Sequence, residues 1–106
     1  MGFFNFLHSR TINHGVNEFA STPGAVLLDV RSKQEYQSGH IPGSINVPLQ
    51  TIEKIAHAVS KKDTPMYVYC HSGARSSRAV HSLQQMGYHN LKNIGGISAY
   101  SGKVVS

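Results

Sequence analysis

The segment Met66-Tyr67-Val68-Tyr69-Cys70-His71-Ser72-Gly73-Ala74-Arg75-Ser76-Ser77-Arg78 changes character twice within thirteen residues. Its first four residues are apolar or aromatic and read as a buried strand that delivers Cys70 at its carboxyl end. A short polar stretch around Gly73 follows, with the conformational freedom a tight loop needs. From Ser76 to about Met86, Ala79, Val80, Leu83 and Met86 recur at helical spacing, and Gly87 stands where the helix should stop. The order strand, loop, helix puts a cysteine at the point where a strand ends and a helix begins.

The same alternation continues in both directions. Val26-Leu27-Leu28-Asp29-Val30 reads as a strand, and Ser32 with Glu35 forms a capping box for a short helix that ends before Gly39 and Pro42-Gly43. Ser44-Ile45-Asn46-Val47 is expected as a second strand, stopped by Pro48. Leu49, Ile52, Ile55, Ala56 and Val59 predict an amphipathic helix from about Leu49 to Lys61. Leu91-Lys92-Asn93-Ile94 is the last short strand, followed by Gly95-Gly96. Near the start, Val16 and Phe19 suggest a short helix after a weak strand at Thr11-Ile12. Strands alternating with helices imply an α/β fold: a small open parallel sheet of about four to five strands with helices on both faces. Sites in such sheets lie beyond the carboxyl ends of the strands, where both Asp29 and Cys70 fall.

Cys70 is the only cysteine, so no intramolecular disulfide and no cysteine-based zinc site can form. A lone cysteine is often just a small buried hydrophobe. Its surroundings argue otherwise here. A loop curled at Gly73 turns successive amide hydrogens inward as an anion nest, and the following helix adds its positive end on the same side. Arg75 contributes a full charge and a planar fork of donors. Together these should hold Cys70 as a thiolate below its free pKa of about 8.5.

These residues carry a family resemblance. Leu28-Asp29-Val30-Arg31, Glu35-Tyr36 and Gly39-His40-Ile41-Pro42-Gly43-Ser44-Ile45-Asn46-Val47-Pro48 resemble the N-terminal signature of rhodanese domains. Tyr69 to Ser76 resembles their active-site loop, and Gly87-Tyr88 and Gly95-Gly96 their C-terminal landmarks. The resemblance runs from about residue 11 to the end, making 1–10 an extension and 11–106 a single rhodanese-like domain. Many members carry a tryptophan after the double glycine; here Ile97 stands there, and Tyr100 is expected to cover part of that surface.

The resemblance implies a sulfurtransferase that moves sulfane sulfur through a persulfide on Cys70, with no metal and no organic cofactor. His71, Ser72, Gly73, Ala74, Arg75 and Ser76 would hold the small anionic donor, such as thiosulfate or a persulfide, and the bound sulfur. The acceptor would be cyanide, a thiol or a protein. Asp29 and Arg31 are expected to support the site structurally, Asp29 through backbone bonds or Arg31 by pairing with Glu35. Glu35 is read as the partner of Ser32, and His40 as fixing its turn by hydrogen bonds. Four residues separate Cys70 from Arg75. The related phosphatases and arsenate reductases have one more, and Ser76 stands where that wider pattern needs its arginine. The alternatives are a persulfide carrier, a protein-binding rhodanese module and, less favoured, a phosphatase or arsenate reductase.

Composition narrows the setting. The chain has 106 residues, is 40% hydrophobic and carries a formal charge of +5 concentrated in its C-terminal half, which favours anionic substrates. The basic residues are scattered, without a nucleic-acid-binding motif. Phe3-Phe4-Asn5-Phe6-Leu7 is far shorter than the ~20 residues of a membrane helix and makes a poor signal peptide; it is expected to pack on the domain or a partner. A lone thiol fits the reducing cytoplasm. The seven histidines show no ligand-like pair at helical spacing, so no metal site is expected.

Overall fold

The computed structural model describes the backbone of residues 2–106 and the side chains from Thr11 onward. The expected packing of Phe3–Leu7 lies outside the described side chains. Four parallel strands form one sheet in the order β2-β1-β3-β4: β1 Val26–Asp29, β2 Ser44–Asn46, β3 Met66–Cys70 and β4 Leu91–Gly96. The helices are α1 Gly2–Ala20, α2 Lys33–Ser38, α3 Ile55–Ala58 and α4 Ala74–Gln85.

All five residues of β3 are buried, and their alternation divides the core in two. Tyr67 and Tyr69 join Leu27, Ile41 and Ile94 beneath Ile12, Val16 and Phe19 of α1. Met66, Val68 and Cys70 join Leu28 and Val30 against Ile52, Ile55 and Val59 and against Ala79 and Leu83 of α4. Apolar surface on both faces is why the strands read as continuous hydrophobic runs rather than alternating ones.

The N-terminal expectation is corrected. Thr11-Ile12 is not a strand but part of α1, a 19-residue helix. Ile12 is fully buried and lies one helical turn from Val16, on the face that covers the sheet. Burying one such side chain contributes about 1.5–3 kcal/mol, more than the weak strand preference of a Thr-Ile pair.

The helix expected from Leu49 to Lys61 is also corrected. A 3₁₀ segment, Leu49–Lys54, breaks at Thr51 (φ −125°, ψ 35°) and leads into the single turn of α3. Val59 is already extended, and its carbonyl accepts a 2.5 Å hydrogen bond from the Tyr88 hydroxyl. Ile52, Ile55 and Val59 are buried as their spacing suggested, while Ala56 is exposed. β-Branched side chains at Thr51, Ile52, Ile55 and Val59 weaken a regular helix here, so packing sets the backbone.

Candidate active site

Gly73 sets the path of the loop. It adopts φ +105°, the left-handed region that disfavours side chains, and serves as the N-terminal cap of α4. The helix therefore begins at Ala74, two residues earlier than its apolar spacing suggested. This brings the Gly73 N–H to 3.0 Å from Cys70 Sγ, and the Ser76 hydroxyl to 3.5 Å. Gly96 holds the loop from the other side. A Cβ there would lie 2.1 Å from the His71 carbonyl oxygen and 2.5 Å from Ser72 Cα, so only glycine lets β4 approach this closely. The Ser98 N–H bonds the same His71 carbonyl at 3.1 Å.

Cys70 is 1% exposed and is a free thiol. Burial pushes its pKa up. Hydrogen bonds from the Ser76 hydroxyl and from the Ser76, Gly73 and Ser72 amides outweigh that, and the net direction is down. The buried cysteine is thus surrounded by donors, which suits a nucleophile.

The loop residues divide by exposure. Ser76 is buried, Gly73 and Arg75 are partly buried, and His71, Ser72 and Ala74 are exposed. A cavity of about 340 Å³ opens beside the loop, lined by Thr11, Ser72, Gly73, Ala74, Asn93 and Gly95.

Arg75 and Glu35 form a two-point pair: Nη1 donates to Oε1 at 2.7 Å and Nη2 to Oε2 at 2.9 Å. Glu35 also completes the expected capping box, accepting from the Ser32 N–H while its own N–H donates to Ser32 Oγ. Chiefly through the hydrogen bond from Arg75, the Glu35 pKa falls from 4.5 to about 2. One carboxylate therefore fastens α2 and the loop arginine together.

The expected Arg31–Glu35 pairing is corrected, because Arg31 pairs with Asp29. Nε and Nη2 of Arg31 grip the Asp29 carboxylate at 2.7–3.1 Å, and the Arg31 N–H adds a bond at 2.8 Å. Arg31 Nη2 also donates to the Gly39 carbonyl, and Asn46 Nδ2 to the carbonyls of Asp29 and Arg31. Both charged side chains are nearly or fully buried. His40 bonds the Tyr36 carbonyl through Nδ1 at 2.8 Å and stacks on the Tyr36 ring, as its turn position suggested. Ile97 and Tyr100 pack partly buried against the α1-side core.

Residues 14–103 match the family model described as rhodanese-like domain. The chain belongs to the rhodanese-like family. It is 42% identical over 71 residues to thiosulfate sulfurtransferase PspE of Escherichia coli, covering 66% of this chain and 68% of that protein. It is 37% identical over 78 residues to the putative sulfur carrier protein YrkF of Bacillus subtilis, covering 73% of this chain but 42% of YrkF. Among solved structures, a rhodanese with anions from E. coli superposes with a TM-score of 0.71 at 38% identity, covering 76% of this chain and 96% of that one. The rhodanese loop here includes one contributor that the sequence reading missed. Asn93 of β4 bonds both Ser76 and Gly73. Only the nearby double glycine hinted that β4 approaches the loop.

Proposed function

We propose that this chain is a sulfurtransferase of the thiosulfate type, working through a persulfide on Cys70. The observation that carries the reading is the Gly73 N–H at 3.0 Å from Sγ, within a loop whose arginine is fixed in place by Glu35. The thiolate attacks the outer sulfur of thiosulfate. A new sulfur–sulfur bond forms, the donor's own bond breaks, and sulfite leaves with the electron pair. Cyanide or a thiol then attacks the outer sulfur, giving thiocyanate or a new persulfide and returning the Cys70 thiolate. This is two-stage covalent catalysis, and it needs no metal or organic cofactor. The exposed loop residues His71, Ser72 and Ala74 would meet the donor, and Arg75 would supply positive charge beside the sulfur. Because Cys70 is almost fully buried, a small donor able to place one sulfur against it suits the site. The single free thiol supports a cytoplasmic setting.

Similarity to YrkF favours a second reading, a carrier loaded by a protein partner. Both readings use the same persulfide and differ in turnover. Incubation with thiosulfate should add one sulfur to the intact mass; cyanide should remove it, and Cys70→Ser should never acquire it. Sustained thiocyanate production supports the enzyme, and one equivalent per chain supports the carrier. An unmodified wild-type chain across a panel of sulfane donors would overturn both.

A further inference from the structure

Asn93 reaches the loop because β4 slips its register. Val68 stands beside Asn93 and Tyr69 beside Gly95, which leaves Ile94 as the extra residue of a bulge. Ile94 fills the α1-side core. Asn93 bonds to the loop.

The partners of Asn93 settle which way its amide points. The Gly95 N–H can only donate, so the atom 3.1 Å from it is Oδ1. The Gly73 carbonyl can only accept, so the atom 3.2 Å from it is Nδ2. Oδ1 is therefore the atom 2.7 Å from Ser76 Oγ. That hydroxyl has one proton and three acceptors: Asn93 Oδ1 at 2.7 Å, the Gly73 carbonyl at 3.0 Å and Cys70 Sγ at 3.5 Å. With a neutral thiol, the amide oxygen is both the nearest and the best acceptor. The sulfur can claim the proton only when it carries charge, since bonds to ions are stronger.

We propose that Asn93 is a positioning residue for the Cys70 nucleophile, holding the Ser76 hydroxyl proton while the sulfur is a neutral thiol and yielding it when the sulfur becomes a thiolate or persulfide anion. Only the hydroxyl torsion of Ser76 has to change. Asn93 Nδ2 meanwhile keeps the Gly73 peptide, whose N–H faces the sulfur, tied to the sheet. The part played at the persulfide rests on the function proposed above; the part played at the thiolate does not.

The test is the pH dependence of Cys70 alkylation by iodoacetamide in the full chain. It uses Ser76→Ala, Asn93→Ala, Asn93→Asp and the two double variants. The charged or titratable residues of the loop and of the elements that adjoin it stay unaltered: His71 in the loop, Arg75 and Arg78 on α4, Glu35 on α2, the Asp29–Arg31 pair at the end of β1, and Lys92 on β4. Ser76→Ala should raise the midpoint by removing a donor to the thiolate. Asn93→Ala frees the Ser76 proton as well as loosening Gly73. Its midpoint should therefore sit lower, relative to its parent, when Ser76 is present than when it is absent. The difference should be about 0.3 pH unit, or twofold in alkylation rate at fixed pH below the midpoint. Asn93→Asp should couple with the opposite sign, because a carboxylate holds the hydroxyl proton more tightly than an amide. A merely structural Asn93 would shift the midpoint equally in both backgrounds, and equal shifts for both substitutions would overturn the proposal. If Asn93→Ala does not fold, the sign of the Asn93→Asp coupling decides alone. Thiocyanate formation is measured separately, so inactive protein with the coupling intact would sink the sulfurtransferase reading and sustain this one.

Discussion

Two arginine–carboxylate pairs flank the candidate site, and they are built for different purposes. Asp29 ends β1 and Arg31 lies just beyond it, with side-chain exposures of 0% and 7%. Arg75 and Glu35 join the loop to α2, with exposures of 37% and 35%. The first pair also bonds the Gly39 carbonyl and the Arg31 N–H, and among the described residues no buried side-chain donor or acceptor lacks a partner. Breaking such a pair strands a buried charge. The second is wet, and exposed pairs contribute only about 0–1 kcal/mol. Its geometry instead fixes a guanidinium whose charge acts on that of the Cys70 thiolate. The buried pair holds the sheet's carboxyl edge together, and the exposed pair aims a charge.

The largest effect that would break this contrast lies at Asp29. Asp29→Ala leaves the Arg31 guanidinium buried without its counter-charge, and stability should fall by about 3–5 kcal/mol. Urea denaturation followed by circular dichroism reads it. A loss below about 1 kcal/mol would place the two pairs in the same class and remove the distinction.

Arg75→Lys sharpens the contrast from the other side. Lysine keeps the charge but cannot make the two-point contact with Glu35. The denaturation midpoint should barely move, while sulfur transfer from thiosulfate should fall by on the order of 10- to 100-fold, as expected for a charge displaced by about 1 Å. Full activity would mean that the site needs only the charge and not its placement.

The sequence made the two pairs unequally legible. Ser32 and Glu35 stand three apart, so the capping box could be read directly, and it forms. The link from Glu35 to Arg75 spans 40 residues and joins different elements. No local spacing encodes it, so the sequence reveals only the capping half of the Glu35 role. Asp29 and Arg31 are two residues apart, yet their mutual grip depends on the backbone turning out of β1. Cys70 was legible because strand, glycine and helix signals converge on it. Asn93 was not, because a bulge aims it and only the register of β4 against β3 reveals the bulge. The segment after Pro48 shows the converse failure: its apolar period marked the buried residues at 52, 55 and 59 but not the break at Thr51.

The smallest effect expected is at Glu35 in acid. Its folded-state pKa is depressed to about 2, first through the hydrogen bond from Arg75. A depressed carboxylate contributes stability that is fully present above its unfolded value, here 4.5, and is lost as pH falls through the folded value. The window is therefore pH 4.5 down to about 2. A carboxylate this exposed is screened by solvent, so the contribution at neutral pH should not exceed about 1 kcal/mol. Glu35→Gln should thus lower stability by that amount or less at pH 7, and the gap between wild type and variant should close only below pH 4.5. The measurement is a set of urea titrations for both proteins from pH 7 to the lowest pH at which each still folds. A gap that stays unchanged as pH falls below 4.5 would show that Glu35 titrates alike in the folded and unfolded chain, with no firm hold from Arg75. A gap of several kcal/mol at pH 7 would mean that the exposed pair carries the fold as the buried one does, and the division between the two would fail.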